Sequence, residues 1–307
     1  MKKIQLITLL LLIVIVGMLF FVRKNKNQEQ QVAGDKIENT GKVKITFLDI
    51  GQGDATFIEF SDGEQMLVDC SEDGRILEAL GRVMPYYDRN IDYLMITHPD
   101  SDHYGGCQEV LERFEIKNII YNGLYKEYDP QWQSFWWAKK NEEAKYYEID
   151  EEDVWTIAST TLHFLYPDHS IADNPGIPDY EGETNTNDTS IVFRLEYGEN
   201  SLLMTGDAEG HVEEYLIATY ADQLDVDILK LGHHGSDSSS IQEFIDITSP
   251  KHAVASCGLE NKFGHPSRRV LKRLERASST VWRTDLQGDI VLEIADIELK
   301  VYTGGES

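Results

Sequence analysis

The sequence predicts an α/β protein, a four-layer αβ/βα sandwich in which two β-sheets pack face to face with helices on both outer sides. Three observations predict it. First, apolar strand-like runs end repeatedly on metal-capable side chains. Tyr93–Ile96 leads into His98-x-Asp100-x-Asp102-His103, Leu202–Thr205 into Asp207, and Ile228–Leu231 into the pair His233-His234. Open α/β architectures place their chemistry where strands run into loops. Second, the order of elements echoes itself. Phe57 to Asp69 reads as strand, turn, strand and aspartate, followed by a helix, a strand and His98; Val192 to Asp207 repeats that order before a helix, a strand and the histidine pair. Third, helices with a single apolar stripe separate the strands, so each sheet has an outer face to cover.

The elements follow in order. Met1-Lys2-Lys3 precedes nineteen residues, Ile4 to Val22, with one strongly polar side chain, Gln5. At about 1.5 Å per residue this run is just long enough to span a bilayer. Arg23, Lys24 and Lys26 follow, and neither a small-residue cleavage site nor a lipid-attachment cysteine appears. Residues 1–24 are therefore expected to form an uncleaved single-pass membrane anchor. Positive charge flanks both ends, so the positive-inside rule does not orient it. Residues 25–42 are polar and read as a flexible linker, leaving 43–307 as one domain. Its strands are expected at 43–50, 55–60, 65–70, 92–97, 117–121, 161–166, 190–197, 201–206, 226–232, 252–257, 280–283, 289–294 and 297–302. Gly63 and Gly198 mark hairpin turns. Helices are expected at Arg75–Tyr87, Gly105–Phe114, Val212–Tyr220, 239–247 and Ser267–Ala277, the last starting behind Pro266. Ser170–Thr189 reads as a long loop, Tyr125–Trp137 as an aromatic cluster that packs the core, and Glu142–Asp153 as a solvated acidic face.

The formal net charge of −26 argues against a broad basic surface of the kind that neutralises long nucleic acid. Cys70, Cys107 and Cys257 are few and odd in number; they imply no disulfide framework and are expected as buried thiols. His163, His169, His211 and His252 lack ligand-bearing neighbours at useful spacing and read as ordinary histidines.

Two imidazoles and two carboxylates within six residues suit Zn²⁺, and equally Mn²⁺ or Fe²⁺. With Phe47-Leu48-Asp49-Ile50-Gly51-Gln52-Gly53-Asp54-Ala55, the His98–Gly106 run, Leu203–Glu209, Leu229–Ser236 and Asn261–Pro266, the chain resembles the metallo-β-lactamase superfamily. Within it, the likeness is to the hydrolase-like domain of the DNA-uptake (competence) protein ComEC. These five ordered motifs span roughly residues 43–302. The resemblance departs from the wider superfamily at Asp100, where a second histidine is usual. It also has no histidine for the third motif, whose region holds Asn187-Asp188-Thr189-Ser190.

What the resemblance implies is a binuclear site holding two divalent ions, Zn²⁺ or Mn²⁺, which clamp both oxygens of a displacement. Asp207 is the candidate bridging carboxylate. His98 and Asp100 would hold the first ion, with Asn187 or Asp188 as an additional ligand; Asp102, His103 and one of the histidine pair would hold the second. The His-Gly signature aligns with His234, whereas the internal echo sets His233 opposite His98. His234 is preferred as ligand and His233 as a donor to substrate phosphate. Asp102, Asp207, His233 and His265 form the catalytic set, His265 stabilising an oxyanion or protonating a leaving group. Asp69 is expected to orient a metal-binding histidine, and Asp49, Gln52 and Asp54 to shape a loop or to support the ligands from behind.

The implied activity is a metal-dependent phosphodiesterase or nuclease, its domain outside the membrane and its substrate a nucleic acid or a teichoic-acid-type wall polymer; the acidic composition favours the latter or a small phosphodiester. No protein partner is implied. The alternatives are a non-catalytic, metal-stabilised module that binds DNA or wall polymer, and a hydrolase of lactones, thioesters or cyclic amides.

Overall fold

A computed structural model describes residues 41–140 and 143–305. The expected anchor, and the expected linker up to residue 40, lie outside the described residues. Among the described residues no helix is long and apolar enough to cross a membrane.

The first sheet takes β1 (Val43–Phe47), β2 (Thr56–Glu59), β3 (Gln65–Val68), β4 (Asn90–Ile96), β5 (Glu115–Tyr121) and β6 (Lys145–Glu148). The second takes β7 (Asp153–Ile157), β8 (Thr160–Tyr166), β9 (Val192–Tyr197), β10 (Asn200–Met204), β11 (Ile228–Lys230), β12 (His252–Ala255) and β13 (Thr280–Arg283). The chain then returns to the first sheet with β14 (Ile290–Ala295) and β15 (Glu298–Thr303). Strand orders are β15-β14-β1-β2-β3-β4-β5-β6 and β13-β12-β11-β10-β9-β8-β7. The helices are α1 (Arg75–Val83), α2 (Ser101–Tyr104), α3 (Cys107–Leu111), α4 (Pro130–Lys139), α5 (Gly210–Tyr220), α6 (Gln242–Thr248), α7 (Arg268–Arg276) and α8 (Thr284–Gln287).

The echo of element order is an echo of pairing. In the first sheet β2 and β3 are antiparallel, then β3, β4 and β5 run parallel. In the second, β9 and β10 are antiparallel, then β10, β11, β12 and β13 run parallel. Asp69 and His98 thus follow adjacent parallel strands, as do Asp207 and the histidine pair.

Strands covered on both faces need apolar side chains at consecutive positions. In β3, Met66 and Val68 enter the core between the sheets, while Leu67 faces the helices. In β10, Leu202 and Met204 enter the same core, and Leu203 packs with Val212 and Leu216 of α5. Apolar packing therefore falls into three clusters, one between the sheets and one beneath each helical layer. This is the two-sheet sandwich the strand pattern predicts.

Two local expectations need correction, and two further segments take on elements that their sequence did not suggest. The run read as a helix from Gly105 to Phe114 is helical only as α3, and Gly105-Gly106 separate it from α2, because a Cβ on Gly106 would lie 2.4 Å from the carbonyl oxygens of Cys70 and Asp73. That close approach requires glycine between the two helices. The acidic segment read as a solvated face contributes the exposed edge strand β6, and the next turn of chain starts β7 at the edge of the other sheet. The aromatic cluster is largely helix α4, capped by Asp129, whose side chain accepts from the Gln131 and Trp132 amides. Trp132 and Phe135 are buried against Tyr104, while Trp137 is exposed. Finally, Cys70 and Cys107 are not thiols but a disulfide, closing a separation of 37 residues; Cys257 remains a buried thiol. The bond ties the turn after β3 to α3, two segments that meet only through the tertiary fold.

Constraining the unfolded chain over such a loop stabilises a fold by about 3–4 kcal/mol. The double variant Cys70→Ser/Cys107→Ser is therefore expected to unfold at markedly lower urea concentration than the parent. Added dithiothreitol should lower the parent's midpoint while leaving the variant's unchanged; equal midpoints for parent and variant would remove the disulfide's structural role.

Candidate metal centre

The C-terminal ends of the parallel strands point to one edge of the sandwich, and the loops leaving them carry the donors. Asp69, just beyond β3, is buried and takes a left-handed backbone with φ of 60°. Its carboxylate accepts from the Thr97 amide (2.8 Å), the Thr97 hydroxyl (2.8 Å) and His103 Nδ1 (2.8 Å). His98 Nδ1 lies 3.1 Å from the same Thr97 hydroxyl, which accepts from it while donating to Asp69. Across the site, His234 Nδ1 donates to the Ser256 carbonyl (3.0 Å). Each of the three imidazoles thereby spends its Nδ1 proton on a fixed partner, and that choice leaves a lone pair on Nε2.

Those three Nε2 atoms converge on Asp207. His103 Nε2 is 3.2 Å from Asp207 Oδ1, and His234 Nε2 is 3.4 Å from Asp207 Oδ2 and 3.3 Å from Asp102 Oδ2. Despite this proximity, Nε2 of His98, His103 and His234 and Oδ1 of Asp207 are buried without an aligned hydrogen-bond partner. Buried polar atoms are rarely left unpaired. Here the orphans are three imidazole nitrogens and a carboxylate oxygen, the donor set that divalent transition ions take. His98, His103 and Asp207 form one group with donors within 4.8 Å of one another, and Asp102, His103 and His234 form a second.

Electrostatics fit a cation. Burial pushes the Asp207 carboxyl up, but His234, His103 and His98 outweigh it and hold the group well below the usual carboxylate range. Burial likewise opposes the charged forms of His103 and His234, and the neighbouring carboxylates, Asp207 foremost, raise both. A divalent ion supplies the positive charge that protons otherwise would. His98 is pushed down to about 4, first by burial and then by His103.

The sequence profile of the metallo-beta-lactamase superfamily matches residues 48–258. The chain belongs to the metallo-beta-lactamase superfamily. Its relatives include ComE operon protein 3 of Bacillus subtilis, 31% identical over 80% of this chain and 32% of that one. Competence protein ComA of Neisseria gonorrhoeae is 31% identical over 80% and 32%, and Recombination protein 2 of Haemophilus influenzae 26% identical over 84% and 30%. The homologues are thus ComEC-like competence proteins, and the chain spans about a third of the length of each. Among solved structures, CmlA, a diiron beta-hydroxylase from Streptomyces venezuelae, superposes with a TM-score of 0.53 at 14% identity, over 82% of this chain and 54% of that one, a likeness of fold alone.

The remaining residues singled out in the sequence are placed as follows. Asp100, at the position where the wider superfamily carries histidine, lies with Oδ2 3.8 Å from His98 Nε2, and its Oδ1 accepts from Lys126 Nζ at 2.9 Å. His233 is half-buried; its Nδ1 contacts Glu209 (3.1 Å), Asn187 (3.3 Å) and Ser238 (3.4 Å), and its Nε2 stands 3.9 Å from Asp207 Oδ2. Asn187 donates its amide to Glu209 (3.1 Å). Asp188 accepts from the Asn185 amide, and its Oδ1 is buried and unpaired. Asp188 joins no cluster of histidine, cysteine and carboxylate donors among the described residues. His265 stacks on His234 at 6.2 Å, and burial, then His234 and His233, push it down to about 4.

Two partners escaped the sequence reading. Lys230, buried in β11, pairs with buried Asp54 at 2.7 Å and donates to the Leu231 carbonyl. Asp54, expected to shape its loop or to support the ligands from behind, sits against the centre, grouped with Asp207 and His234. A lone lysine interrupting the apolar run Ile228–Leu231 was the available signal. The second is Glu213 of α5, fully buried, whose two carboxylate oxygens accept from the Ser240 (2.6 Å) and Ile241 (2.8 Å) amides. It anchors the segment that follows the histidine pair.

Asp69→Ala removes the acceptor that fixes the His103 ring. Metal affinity, measured by competition with a chromophoric chelator, should fall roughly 10–100-fold; unchanged affinity would deny Asp69 an orienting role. Burial pushes Glu213 up to about 8 from its ordinary 4.5. A raised folded value means this contribution to stability is complete below pH 4.5 and is lost as pH climbs through 8. Urea unfolding of the parent should therefore weaken between pH 5 and 9 with a steeper slope than that of Glu213→Gln, and parallel slopes would contradict the assignment.

Proposed function

We propose that the chain is a binuclear, metal-dependent phosphodiesterase acting outside the membrane on a nucleic acid or a wall polymer of the teichoic-acid type. The observation that carries this reading is the convergence of three unpaired Nε2 atoms on one buried carboxylate, in a fold whose family consists mostly of metal-dependent hydrolases. His98 and Asp100 would hold one ion, Zn²⁺ or Mn²⁺, and Asp102, His103 and His234 the other. Asp207 would be shared between them, with Asn187 or Asp188 as an additional ligand. When bound, two such ions polarise phosphoryl oxygens and generate a nucleophile from water at neutral pH.

The chain's own residues divide the other tasks. His233 lies beside Asp207 yet outside the metal-capable groups, with Nδ1 held by Glu209. With both ring nitrogens protonated, it would donate from Nε2 to a phosphate oxygen. His265, pushed down to about 4, is a neutral imidazole at physiological pH. It suits a hydrogen-bond donor to developing negative charge better than an acid that protonates the leaving group. The Lys126–Asp100 pair holds the Asp100 carboxylate against the site's edge. The location outside the membrane is supported by the Cys70–Cys107 disulfide, because such bonds persist in oxidising compartments.

The full-length chain purified without chelator should carry nearly two divalent ions and hydrolyse bis-p-nitrophenyl phosphate in preference to nitrocefin or a thioester. Asp207→Asn should lose metal and at least about a hundredfold in turnover, since several kcal/mol of charge stabilisation depend on the ions at tenfold per 1.4 kcal/mol. Activity confined to nitrocefin or thioesters would overturn the phosphodiesterase reading. Polymer retention without turnover would replace it with a binding module.

A further inference from the structure

The chain's charge is far from evenly spread. Residues 262–276 contain Lys262, Arg268, Arg269, Lys272, Arg273 and Arg276 against a single acid, Glu275, a local +5 in a chain of −26. These residues lie on α7 and the loop before it, and both are bolted to the metal centre. The Ser267 amide donates to the Gly235 carbonyl (2.8 Å), one residue after His234. Arg273 donates to the Ser239 and Ser240 carbonyls, and Arg269 pairs with Asp237. Two of the cations therefore hold the helix in place. The other three helical cations, Arg268, Lys272 and Arg276, are exposed and have no acidic partner within ion-pair distance among the described residues. Their i, i+4, i+8 spacing sets them on one face, with about 6 Å of rise between successive charges.

The loop that leads into this helix carries an aromatic ring linked to the metal centre through His265. Phe263 is 55% exposed and lies parallel to His265 at 5.6 Å, which in turn stacks on His234. The loop carrying it is fixed. Asn261 donates to the Gly258 (2.9 Å) and His265 (2.7 Å) carbonyls and accepts from the His265 amide (2.9 Å). An exposed phenylalanine on a pre-ordered loop presents a flat apolar surface to whatever enters the site. Lys262 is the present neighbour of that ring, 4.9 Å from its centroid. A cation over an exposed ring is the weaker contact compared with a stacked base, so Lys262 can yield the face and take a phosphate.

We propose that Phe263 and the Arg268-Lys272-Arg276 stripe form a docking track for single-stranded nucleic acid, leading its backbone to the metal centre past His265. The proposal rests on the phosphodiesterase reading for what happens at the end of the track. Charge complementarity selects a polyanion, and the aromatic platform selects one that carries bases, because a wall polymer of alditol phosphates has no ring to stack. A single strand is favoured over a duplex for two reasons. Stacking on a side chain needs an unstacked base, and the acidic surface around a stripe of three cations repels a second backbone.

The test is fluorescence anisotropy with the full-length, metal-loaded chain and a fluorescein-labelled oligothymidylate whose phosphorothioate linkages resist hydrolysis. The triple variant Arg268→Glu/Lys272→Glu/Arg276→Glu should bind at least tenfold more weakly at low salt. It should also lower the slope of log affinity against log salt by about 2, at roughly 0.7 per phosphate contact on a single strand. Phe263→Ala should weaken binding roughly tenfold, and Phe263→Trp should restore it. As an exposed loop position, Phe263 supplies the decision should the triple variant melt early. Unchanged affinity and salt slope in these variants would overturn the track. So would a glycerol-phosphate polymer that displaces the oligonucleotide equally well from the parent and from Phe263→Ala. Binding is read without turnover, so the two readings fail separately. Tight, variant-sensitive binding by a chain that cleaves no phosphodiester removes only the catalytic reading, and cleavage of bis-p-nitrophenyl phosphate with variant-insensitive binding removes only the track.

Discussion

Asp207 carries a negative charge inside the protein, and the arrangement around it follows from keeping that charge there. An isolated buried carboxylate would take up a proton rather than persist as an anion. Here three imidazoles surround it and hold the carboxyl well below its usual range. Each imidazole is locked through Nδ1 to a partner on the scaffold, so none can turn away. The same constraint explains the nearby Asp54–Lys230 pair. A second buried carboxylate within reach of His234 and Asp207 is tolerable because an ammonium meets it at 2.7 Å, and that ammonium is itself held by a backbone carbonyl. Removing either partner of such a pair leaves an uncompensated charge.

The scaffold fixes these groups by making one edge of the molecule rigid. The Asp69 carboxylate gathers the Thr97 amide, the Thr97 hydroxyl and His103, tying the end of β3 to the end of β4. The Cys70–Cys107 disulfide repeats the tie one residue further along, and Gly53 completes it. A Cβ on Gly53 would stand 2.3 Å from the Asp102 carbonyl, and its φ of +111° suits no other residue. On the second sheet, His233 and His234 both adopt left-handed backbone angles, an uncommon pair for residues with side chains. Glu213 and α7 hold the chain that follows them. Strain of this kind persists where surrounding structure over-determines it, as at functional sites. The cleft of about 540 Å³ on the outer face of the first sheet, lined by Lys44, Thr46, Arg82 and Tyr302, includes none of these residues. The chemistry-bearing edge is therefore separate from it.

Net charge is a property of the whole chain and does not describe any one stretch of its surface. A value of −26 describes the chain as a whole, and screening in salt confines each charge's influence to about 8–10 Å. The local sum over residues 262–276, on α7 and the loop before it, is positive. The basic residues were visible as Arg268-Arg269 and Lys272-Arg273 in the sequence. The link from the start of that helix to Gly235, beside His234, was not, because residues 236–266 of helix, strand and loop intervene.

The sequence by itself determined what depends on local pattern. Strand positions followed from apolar runs covered on both faces, and the pairing of the two halves followed from the repeated order of elements. The centre was legible as His98-x-Asp100-x-Asp102-His103, Asp207 and the histidine pair, since each donor stands at a strand's end where a loop begins. Helix α4 was missed because its four aromatic side chains face different directions, Trp132 and Phe135 inward and Trp137 outward, and show no single stripe. Strands β6 and β7 were missed because edge strands carry charge on exposed faces. Only the tertiary structure decided that Cys70 meets Cys107, that Lys230 neutralises Asp54, and that Nε2 of His234 lies 3.4 Å from Asp207 Oδ2 while that of His233 lies 3.9 Å away. All of these are contacts between segments distant in sequence or choices between adjacent side chains. They turn on ångström-scale geometry, to which composition and periodicity are blind.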